Sequence, residues 1–187
     1  MATVNLSDYK PLQISNADSF RIGIVVSDWN DFVTYNLRDA AIQILEKEGV
    51  KKENIEIFSV PGAFELSYAC MQLCAAENHD AVIAIGNVIR GETPHFDYVC
   101  SAVAQGIKDC NVMTDVPAIF CVLTDDNKEQ SLARSGGNLG NKGVEAAVTA
   151  LRMIEFRNTD NSFSFLKNKK VFRNTKFSRL KQAYKSI

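Results

Sequence analysis

The segment from Arg90 to Asp97 brings together residue types that can transfer protons and bind a ligand. It reads Arg-Gly-Glu-Thr-Pro-His-Phe-Asp and follows an apolar run at 81–85. If the segment opens a helix, its backbone N–H groups are exposed and a cation is disfavoured beside them. We therefore expect His95 to be neutral and able to accept a proton near neutral pH. The alternative is that His95 only packs at the start of that helix.

The residues around this segment predict a strand before it and a helix after it. The unbroken apolar run 81–85 is typical of a buried parallel strand. Thr93 suits the N-cap, Pro94 the first helical position and Asp97 the acidic first turn. Apolar residues then recur at helical spacing at positions 96, 99, 103, 107 and 110. Ligands of open α/β sheets bind where strands end and helices begin, so this turn is a candidate binding site.

Three more segments are expected at the same edge of the sheet. Segment 27–30 follows the first predicted strand and contains Trp29, the only tryptophan, whose ring could stack on a flat ligand. Segment 60–66 brings helix-start N–H donors and Glu65 to the edge. Segment 134–143 combines Arg134, Lys142 and four glycines, as an anion site would. Each segment also has a structural alternative: core packing for Trp29, a helix-dipole partner for Glu65 and a ligand-free turn for the glycines.

Strands and helices alternate along the chain, which predicts a parallel sheet covered on both faces. The predicted strands are 21–26, 54–60, 81–85 and 118–123, and the predicted helices are 34–48, 63–77, 95–111, 126–135 and 141–154. We expect a three-layer α/β/α, flavodoxin-like fold with a four-stranded parallel sheet and an N-terminal arm of residues 1–20. The helix 63–77 is apolar nearly all round, which favours a subunit interface.

Composition narrows the class of protein. A chain of 187 residues with 46% hydrophobic residues has enough apolar surface for one globular domain, which we expect over residues 1–155. Five cysteines without a C-x-x-C pair, and only two histidines, favour buried free thiols over disulfides or a metal site. No apolar run approaches the ~18 residues of a membrane span, and residues 1–20 lack the pattern of a secretory signal. We expect a cytoplasmic protein without a membrane partner.

The charge of the chain is unevenly distributed. Residues 156–187 contain nine Lys or Arg against one Asp, while the whole chain carries −1. The body is therefore acidic, and 156–187 is a basic C-terminal tail that we expect either to be disordered or to dock on the body. Clustered Lys and Arg would bind polyanions nonspecifically, but a nucleic acid is not the expected partner.

Five segments together resemble the 6,7-dimethyl-8-ribityllumazine synthases, in the order and spacing of that family. They are 23–30, 60–66, 86–100, 117–124 and 134–143, reading Gly-Ile-Val-Val-Ser-Asp-Trp-Asn, Val-Pro-Gly-Ala-Phe-Glu-Leu, Gly-Asn-Val-Ile-Arg-Gly-Glu-Thr-Pro-His-Phe-Asp-Tyr-Val-Cys, Pro-Ala-Ile-Phe-Cys-Val-Leu-Thr and Arg-Ser-Gly-Gly-Asn-Leu-Gly-Asn-Lys-Gly. The stretch 90–96 is highly specific for the family. The resemblance covers residues 10–155 and offers no counterpart for the tail.

The resemblance implies a transferase of riboflavin biosynthesis. The family condenses 5-amino-6-(D-ribitylamino)uracil with 3,4-dihydroxy-2-butanone 4-phosphate and releases phosphate and water. The amine of the first substrate is the nucleophile, so neither a side-chain nucleophile nor a cofactor is expected. The family builds its active sites between adjacent subunits of a ring. We therefore expect a homo-oligomer, either a pentamer or a 60-subunit shell of pentamers, with riboflavin synthase as a further partner.

The resemblance also assigns the site residues. His95 matches the proton-transfer residue, and Arg134 matches the phosphate-binding arginine. The other substrate-binding positions follow in chain order. They are Trp29 stacked on the pyrimidine, Asn30, then Ala63, Phe64 and Glu65 along the ribityl chain, Asn87, Val88 and Ile89 at the polar edge of the ring, Glu92 and Thr93 at the phosphate, Phe120 closing the pocket, and Lys142 near the pyrimidine. Phe120 and Arg134 would come from a neighbouring subunit.

Two other functions are compatible with this fold. A non-catalytic flavin- or lumazine-binding cage of the same fold would be favoured by loss of His95 or Arg134, and both are present. A flavodoxin-like electron carrier would need a Ser/Thr-rich phosphate loop after the first strand. Residues 27–31 instead offer one hydroxyl and two acids, which repel phosphate. The residues favour the enzyme.

Overall fold

Four parallel strands form the central sheet of the protein. The computed structural model describes residue 5 and residues 7–159. The strands β1 (Ile22–Ser27), β2 (Ile55–Val60), β3 (Ala81–Ile89) and β4 (Ala118–Asp125) lie in the order β2-β1-β3-β4. Because β2 and β3 lie on opposite sides of β1, the topological switch point is at the carboxyl ends of β1 and β3. The predicted four-stranded parallel sheet is confirmed.

Five α-helices cover the two faces of this sheet. They are α1 (Asp31–Lys47), α2 (Leu66–Ala76), α3 (His95–Met113), α4 (Lys128–Arg134) and α5 (Lys142–Thr159). Buried residues of α1 and α5 share one apolar core with β3 residues 81, 83 and 85, while those of α2 and α3 share a second core with residues 82 and 84. This alternation places β3 between two layers of helices, as an unbroken apolar run predicts.

The ends of several elements differ from the predicted ones. β3 continues to Ile89 instead of ending at residue 85, because it stays paired with β4 as far as Asp125. Its pairing with β1 stops at Ile85, opposite Val26, and β1 ends one residue later at Ser27, so residues 87–89 extend past the end of β1. Helix α1 begins at Asp31 instead of residue 34, and α5 continues to Thr159 instead of 154.

The two helix starts nearest the switch point also differ from the predicted ones. Thr93 is not the N-cap of α3. The cap is Pro94, whose carbonyl already accepts hydrogen bonds from the amides of Asp97 and Tyr98 at 3.0 and 3.4 Å. Helix α2 begins at Leu66 instead of residue 63, because residues 61–65 form a turn closed by Glu65.

The Gly-rich turn expected within segment 134–143 is a small antiparallel ribbon of β5 (Ser135–Gly137) and β6 (Gly140–Asn141), between the end of α4 and the start of α5. Gly136 and Gly140 have φ values of 118° and 84°, which favour glycine. A Cβ on Gly137 would stand 2.7 Å from the carbonyl oxygen of Leu132. A Cβ on Gly143 would clash with the carbonyl oxygen of Leu37. All four glycines of the segment therefore have a structural reason to be there.

The cysteines carry free thiols, as predicted, and all but the half-buried Cys100 are buried. In the described part of the chain no helix is long and apolar enough to cross a membrane.

One compact unit reaches to Ile154, and the last turn of α5 from Glu155 belongs to a second unit. The rest of the predicted basic tail, residues 160–187, lies outside the described residues, as do residues 1–4 and 6 of the arm.

Candidate functional site

A cavity of about 570 Å³ opens at the carboxyl ends of the strands, at the topological switch point. Ten residues line it: Trp29, Asn30, Ala63, Phe64, Glu65, Asn87, Val88, Ile89, His95 and Val99. Nine of them are predicted site residues, drawn from three segments that are far apart in the chain. The tenth, Val99, was expected only on the apolar face of α3. The volume of the cavity is within the range of small-molecule sites.

The loop after β1 holds Trp29 at the rim of the cavity. The Trp29 amide donates a hydrogen bond to the carbonyl of Pro61 at 3.0 Å, which ties this loop to the turn after β2. The indole lies directly over Gly62, where a Cβ would stand 2.5 Å from its Cε3 atom. Trp29 is nevertheless 68% exposed. The indole is therefore not packed in the core, which contradicts the core-packing alternative. It is exposed and can contact a ligand.

The turn after β2 is built around Glu65. Its Oε2 accepts a hydrogen bond from the amide of Gly62 at 3.1 Å, so this carboxylate closes the turn that leads into α2. Phe64 in the same turn is 58% exposed beside the cavity. The turn therefore presents an apolar ring and backbone groups to the cavity, while part of the Glu65 carboxylate serves the turn itself.

The end of β3 forms the floor of the cavity. Because β3 extends beyond the end of β1, the backbone of Asn87, Val88 and Ile89 has no ladder partner on the β1 side. One of these groups, the Asn87 carbonyl, accepts a hydrogen bond from Asn30 Nδ2 at 3.2 Å. Asn30 itself adopts a left-handed conformation with a φ of 62°, which turns the chain from β1 into α1. The extended end of β3 thus offers backbone donors and acceptors at the switch point.

His95 is the first residue of α3 and lies exposed in the cavity wall. Arg90, five positions earlier, points to other partners. Its Nε lies 2.9 Å from Asp126 and its Nη1 3.3 Å from Asp97, while the guanidinium stacks 4.1 Å from the centre of the Phe96 ring. The hydrogen bond to Asp126 and the charge of Asp97 raise the pKa of Arg90. Arg90 therefore connects β3, α3 and the loop after β4.

The remaining predicted residues do not line this cavity. Glu92 and Thr93 are exposed in the turn that precedes His95. Phe120 and Lys142 lie together in a second cavity of about 350 Å³ between β4, α3 and α5. Phe120 is 41% exposed there, and Lys142 Nζ pairs with Glu145 Oε1 at 2.7 Å.

Arg134 lies at the end of α4, away from both cavity linings. Its Nη1 donates to the carbonyl of Gln130 at 2.9 Å and stands 3.9 Å from Asp125 Oδ1. Sequence reasoning missed the buried Asp125 and its neighbour Ser131, which hydrogen-bonds to it at 2.8 Å. Asp125 follows the predicted strand 118–123, and nothing in its sequence position distinguishes it from a polar loop residue.

Comparison with known proteins identifies relatives along most of the chain. The family model described as 6,7-dimethyl-8-ribityllumazine synthase matches residues 19–158. The chain is 56% identical over 154 residues to the 6,7-dimethyl-8-ribityllumazine synthase of Christiangramia forsetii, covering 82% of this chain and 92% of the relative. The enzyme of the same name from Flavobacterium johnsoniae is 54% identical over 153 residues, 82% of this chain and 80% of the relative. That from Parabacteroides distasonis is 51% identical over 158 residues, 83% of this chain and 99% of the relative.

Proposed function

The chain belongs to the 6,7-dimethyl-8-ribityllumazine synthase family, and we propose that the 570 Å³ cavity at the switch point is where it binds its pyrimidine substrate. The protein is a transferase of riboflavin biosynthesis that condenses 5-amino-6-(D-ribitylamino)uracil with 3,4-dihydroxy-2-butanone 4-phosphate. The function predicted from the sequence is confirmed at this level. One observation carries the assignment of the site: a single cavity collects nine of the residues that the family resemblance assigns to the active site, namely His95 and eight substrate-binding positions.

The pyrimidine fits between Trp29 and the end of β3. The exposed indole supplies a flat apolar surface for stacking, and the backbone of 87–89 supplies hydrogen-bond donors and acceptors for the polar edge of the ring. The turn with Ala63, Phe64 and Glu65 then lies along the ribityl chain. Backbone contacts suit this task because they are held by the sheet and need no side-chain ordering.

His95 is the residue we assign to proton transfer. The substrate amine attacks the carbonyl of the second substrate, and the later steps release phosphate and water. These steps move protons between substrate atoms, and an imidazole at the cavity wall can accept and return them. Holding the two substrates together supplies the larger part of the acceleration, and proton transfer adds roughly 10²–10⁴-fold.

The phosphate end of the site is completed by a second copy of the chain in this proposal. Glu92 and Thr93 precede the start of α3, where backbone N–H groups favour an anion. Within one chain, none of Arg134, Phe120 and Lys142 lines the cavity that contains His95. Phe64, Tyr68 and Phe120 expose 58%, 72% and 41% of their surface, which supports an apolar contact between subunits. A pentamer, alone or in a 60-subunit shell, is the assembly we propose.

Mixed assemblies test the shared site. His95→Ala and Arg134→Ala chains are purified separately, denatured together in equal amounts, and refolded, with each variant refolded alone as the control. If His95 and Arg134 meet across a subunit boundary, about one site in four of a random mixture contains both native residues. Lumazine formation, followed by absorbance, should then rise well above the mean of the two variants. No rise would place both residues in one chain's site, and light scattering must show at least a pentamer.

Two further proposals follow from the family. We place the enzyme in the cytoplasm and regard riboflavin synthase, which would consume its product, as a candidate partner. Co-sedimentation of the assembled enzyme with riboflavin synthase tests the second of these proposals.

If wild-type protein forms no lumazine from both substrates, the non-catalytic binding cage becomes the better description.

A further inference from the structure

Three buried polar side chains form a connected row beside the end of β4. Asn87 on β3, Ser131 on α4 and Asp125 at the end of β4 are 4%, 0% and 5% exposed. A buried polar group costs stability unless it is hydrogen-bonded, and a buried charge costs more. The row therefore needs an explanation beyond chance placement.

The hydrogen bonds of the row run in one direction. Asn87 Nδ2 donates to Ser131 Oγ at 3.0 Å, and Ser131 Oγ donates to Asp125 Oδ2 at 2.8 Å. A serine hydroxyl has one proton, so accepting from the amide leaves that proton for the carboxylate. An amide donor at one end and an acceptor-only carboxylate at the other leave the hydroxyl no alternative orientation. Asn87 and Ser131 thus fix one oxygen of Asp125.

The other oxygen of Asp125 faces Arg134. Asp125 Oδ1 lies 3.9 Å from Arg134 Nη1, and the same nitrogen donates to the carbonyl of Gln130 at 2.9 Å. A guanidinium has five N–H donors in a rigid plane, so fixing one nitrogen orients the others. Within the described residues, the hydrogen bonds and ion pairs of Arg134 involve only Nη1, which leaves the Nε and Nη2 donors for a ligand.

We propose that Asp125 is a positioning residue for Arg134, held in place by Ser131 and Asn87, and that it turns the free edge of the guanidinium toward the substrate phosphate. The proposal rests on the proposed function of Arg134 as the phosphate-binding residue. The Nε and Nη2 donors form one edge of the rigid guanidinium, so a bidentate contact requires that this edge face the phosphate. A long half-buried side chain without such a support would sample more rotamers and present that edge less often.

Steady-state kinetics of the full-length assembled enzyme test this proposal, with each substrate varied in turn. Asp125→Asn keeps an acceptor for Ser131 but removes the charge beside Arg134. We expect its KM for the butanone phosphate to rise about three- to tenfold, a part of the effect of losing a whole charge-assisted contact. The KM for the pyrimidine should not change. The inhibition constant of inorganic phosphate, measured against the butanone phosphate, should rise by the same factor.

Three companion variants keep the result interpretable. Ser131→Ala leaves the Asp125 charge but removes the hydroxyl that holds one oxygen of Asp125. It should also raise the KM for the butanone phosphate. If Asp125→Asn fails to fold, Ser131→Ala tests the positioning role instead. The double variant Asp125→Asn/Arg134→Ala should match Arg134→Ala alone. Asp18→Asn is the control, because it removes a carboxylate that pairs with Lys51 at 3.5 Å near the opposite edge of the sheet.

Each of the other possible outcomes contradicts a specific part of the proposal. If Asp125→Asn lowers the KM for the butanone phosphate, the carboxylate is only a charge that competes with phosphate, and the proposal is wrong. The proposal is also wrong if Asp125→Asn leaves the KM for the butanone phosphate unchanged, or if the effects of Asp125→Asn and Arg134→Ala are independent in the double variant. If Arg134→Ala itself leaves that KM unchanged, the proposed function of Arg134 fails and the positioning role fails with it. A strong effect of Arg134→Ala without one of Asp125→Asn refutes the positioning role alone.

Discussion

Gly62→Ala should impair binding of the pyrimidine while the protein remains folded. The backbone of Gly62 does not have a positive φ, so alanine fits its conformation. The added Cβ, however, would stand 2.5 Å from Cε3 and 2.7 Å from Cζ3 of Trp29. Carbon atoms rest at about 3.5–4.0 Å, so the edge of the indole must move by roughly 1 Å or more. The substitution therefore changes the position of the stacking surface without touching a ligand itself.

The size of the effect follows from where the ring can go. Trp29 is 68% exposed, so the ring can swing toward solvent instead of straining the core. We expect the free energy of unfolding to fall by about 1 kcal/mol or less, at the low end of what overpacking costs. Stacking of a base on an aromatic side chain is worth about 1–3 kcal/mol. Losing it should raise the KM for the pyrimidine about five- to a hundredfold, at 1.4 kcal/mol per factor of ten.

Trp29 fluorescence measures the same change directly. Its emission should be quenched when the pyrimidine or riboflavin binds to the wild-type protein, and Gly62→Ala should require more ligand for the same quenching. In a Trp29→Ala background the clash has no partner, so adding Gly62→Ala should not change the KM further. If folded Gly62→Ala binds and turns over like the wild type, Trp29 does not stack on the substrate.

Three further predictions concern the wall of the cavity, the thiols and the tail. His95→Ala should lower turnover about 10- to 100-fold with the fold intact, because proton transfer is a smaller factor than positioning; complete inactivity would give His95 a larger role. Burial raises the pKa of the Cys70 thiol and raises that of Cys121 to about 12, so little thiolate forms near neutral pH. Burial raises the pKa of Cys100 too, so accessibility decides the order: a thiol reagent should modify the half-buried Cys100 first in the native protein and all five cysteines only after denaturation. Removal of 160–187 should leave turnover within about twofold, since every assigned site residue precedes them; a loss of activity or assembly would contradict this.

The order of strands and helices could be predicted because each element has a strong local pattern. The run 81–85 is apolar without interruption because both of its faces are buried, and the apolar spacing of α3 follows from its single core face. The end of β3 could not be predicted in this way. Asn87 is polar and follows a glycine, which locally indicates a loop, but pairing with β4 keeps it in the sheet. Register with a distant strand outweighs local propensity there.

The buried row beside β4 shows the same limit for the site. Asn87 and Ser131 are 44 positions apart, and their contact depends on how α4 packs against the ends of β3 and β4. A motif search finds side chains that could touch a ligand, whereas this row touches other side chains. Only the three-dimensional arrangement identifies Asp125 as the partner of Arg134.

The four segments that the sequence placed at one edge of the sheet are divided by the structure, and that division bears on how the site is completed. The segments after β1, β2 and β3 meet at the switch point, but the segment with Arg134 follows β4, the edge strand. Phe120 on β4 is partly exposed and shares its cavity with Lys142. In the function we propose, the cavity beside β1 and β3 is the pyrimidine-binding half of a site, and the residues beside β4 are the complementary half. If the phosphate contacts both the start of α3 and Arg134, as we propose, two copies of the chain must meet with β4 of one facing the switch point of the next. Such a head-to-tail contact is heterologous, and a heterologous contact that closes forms a ring, which is the geometry a pentamer requires.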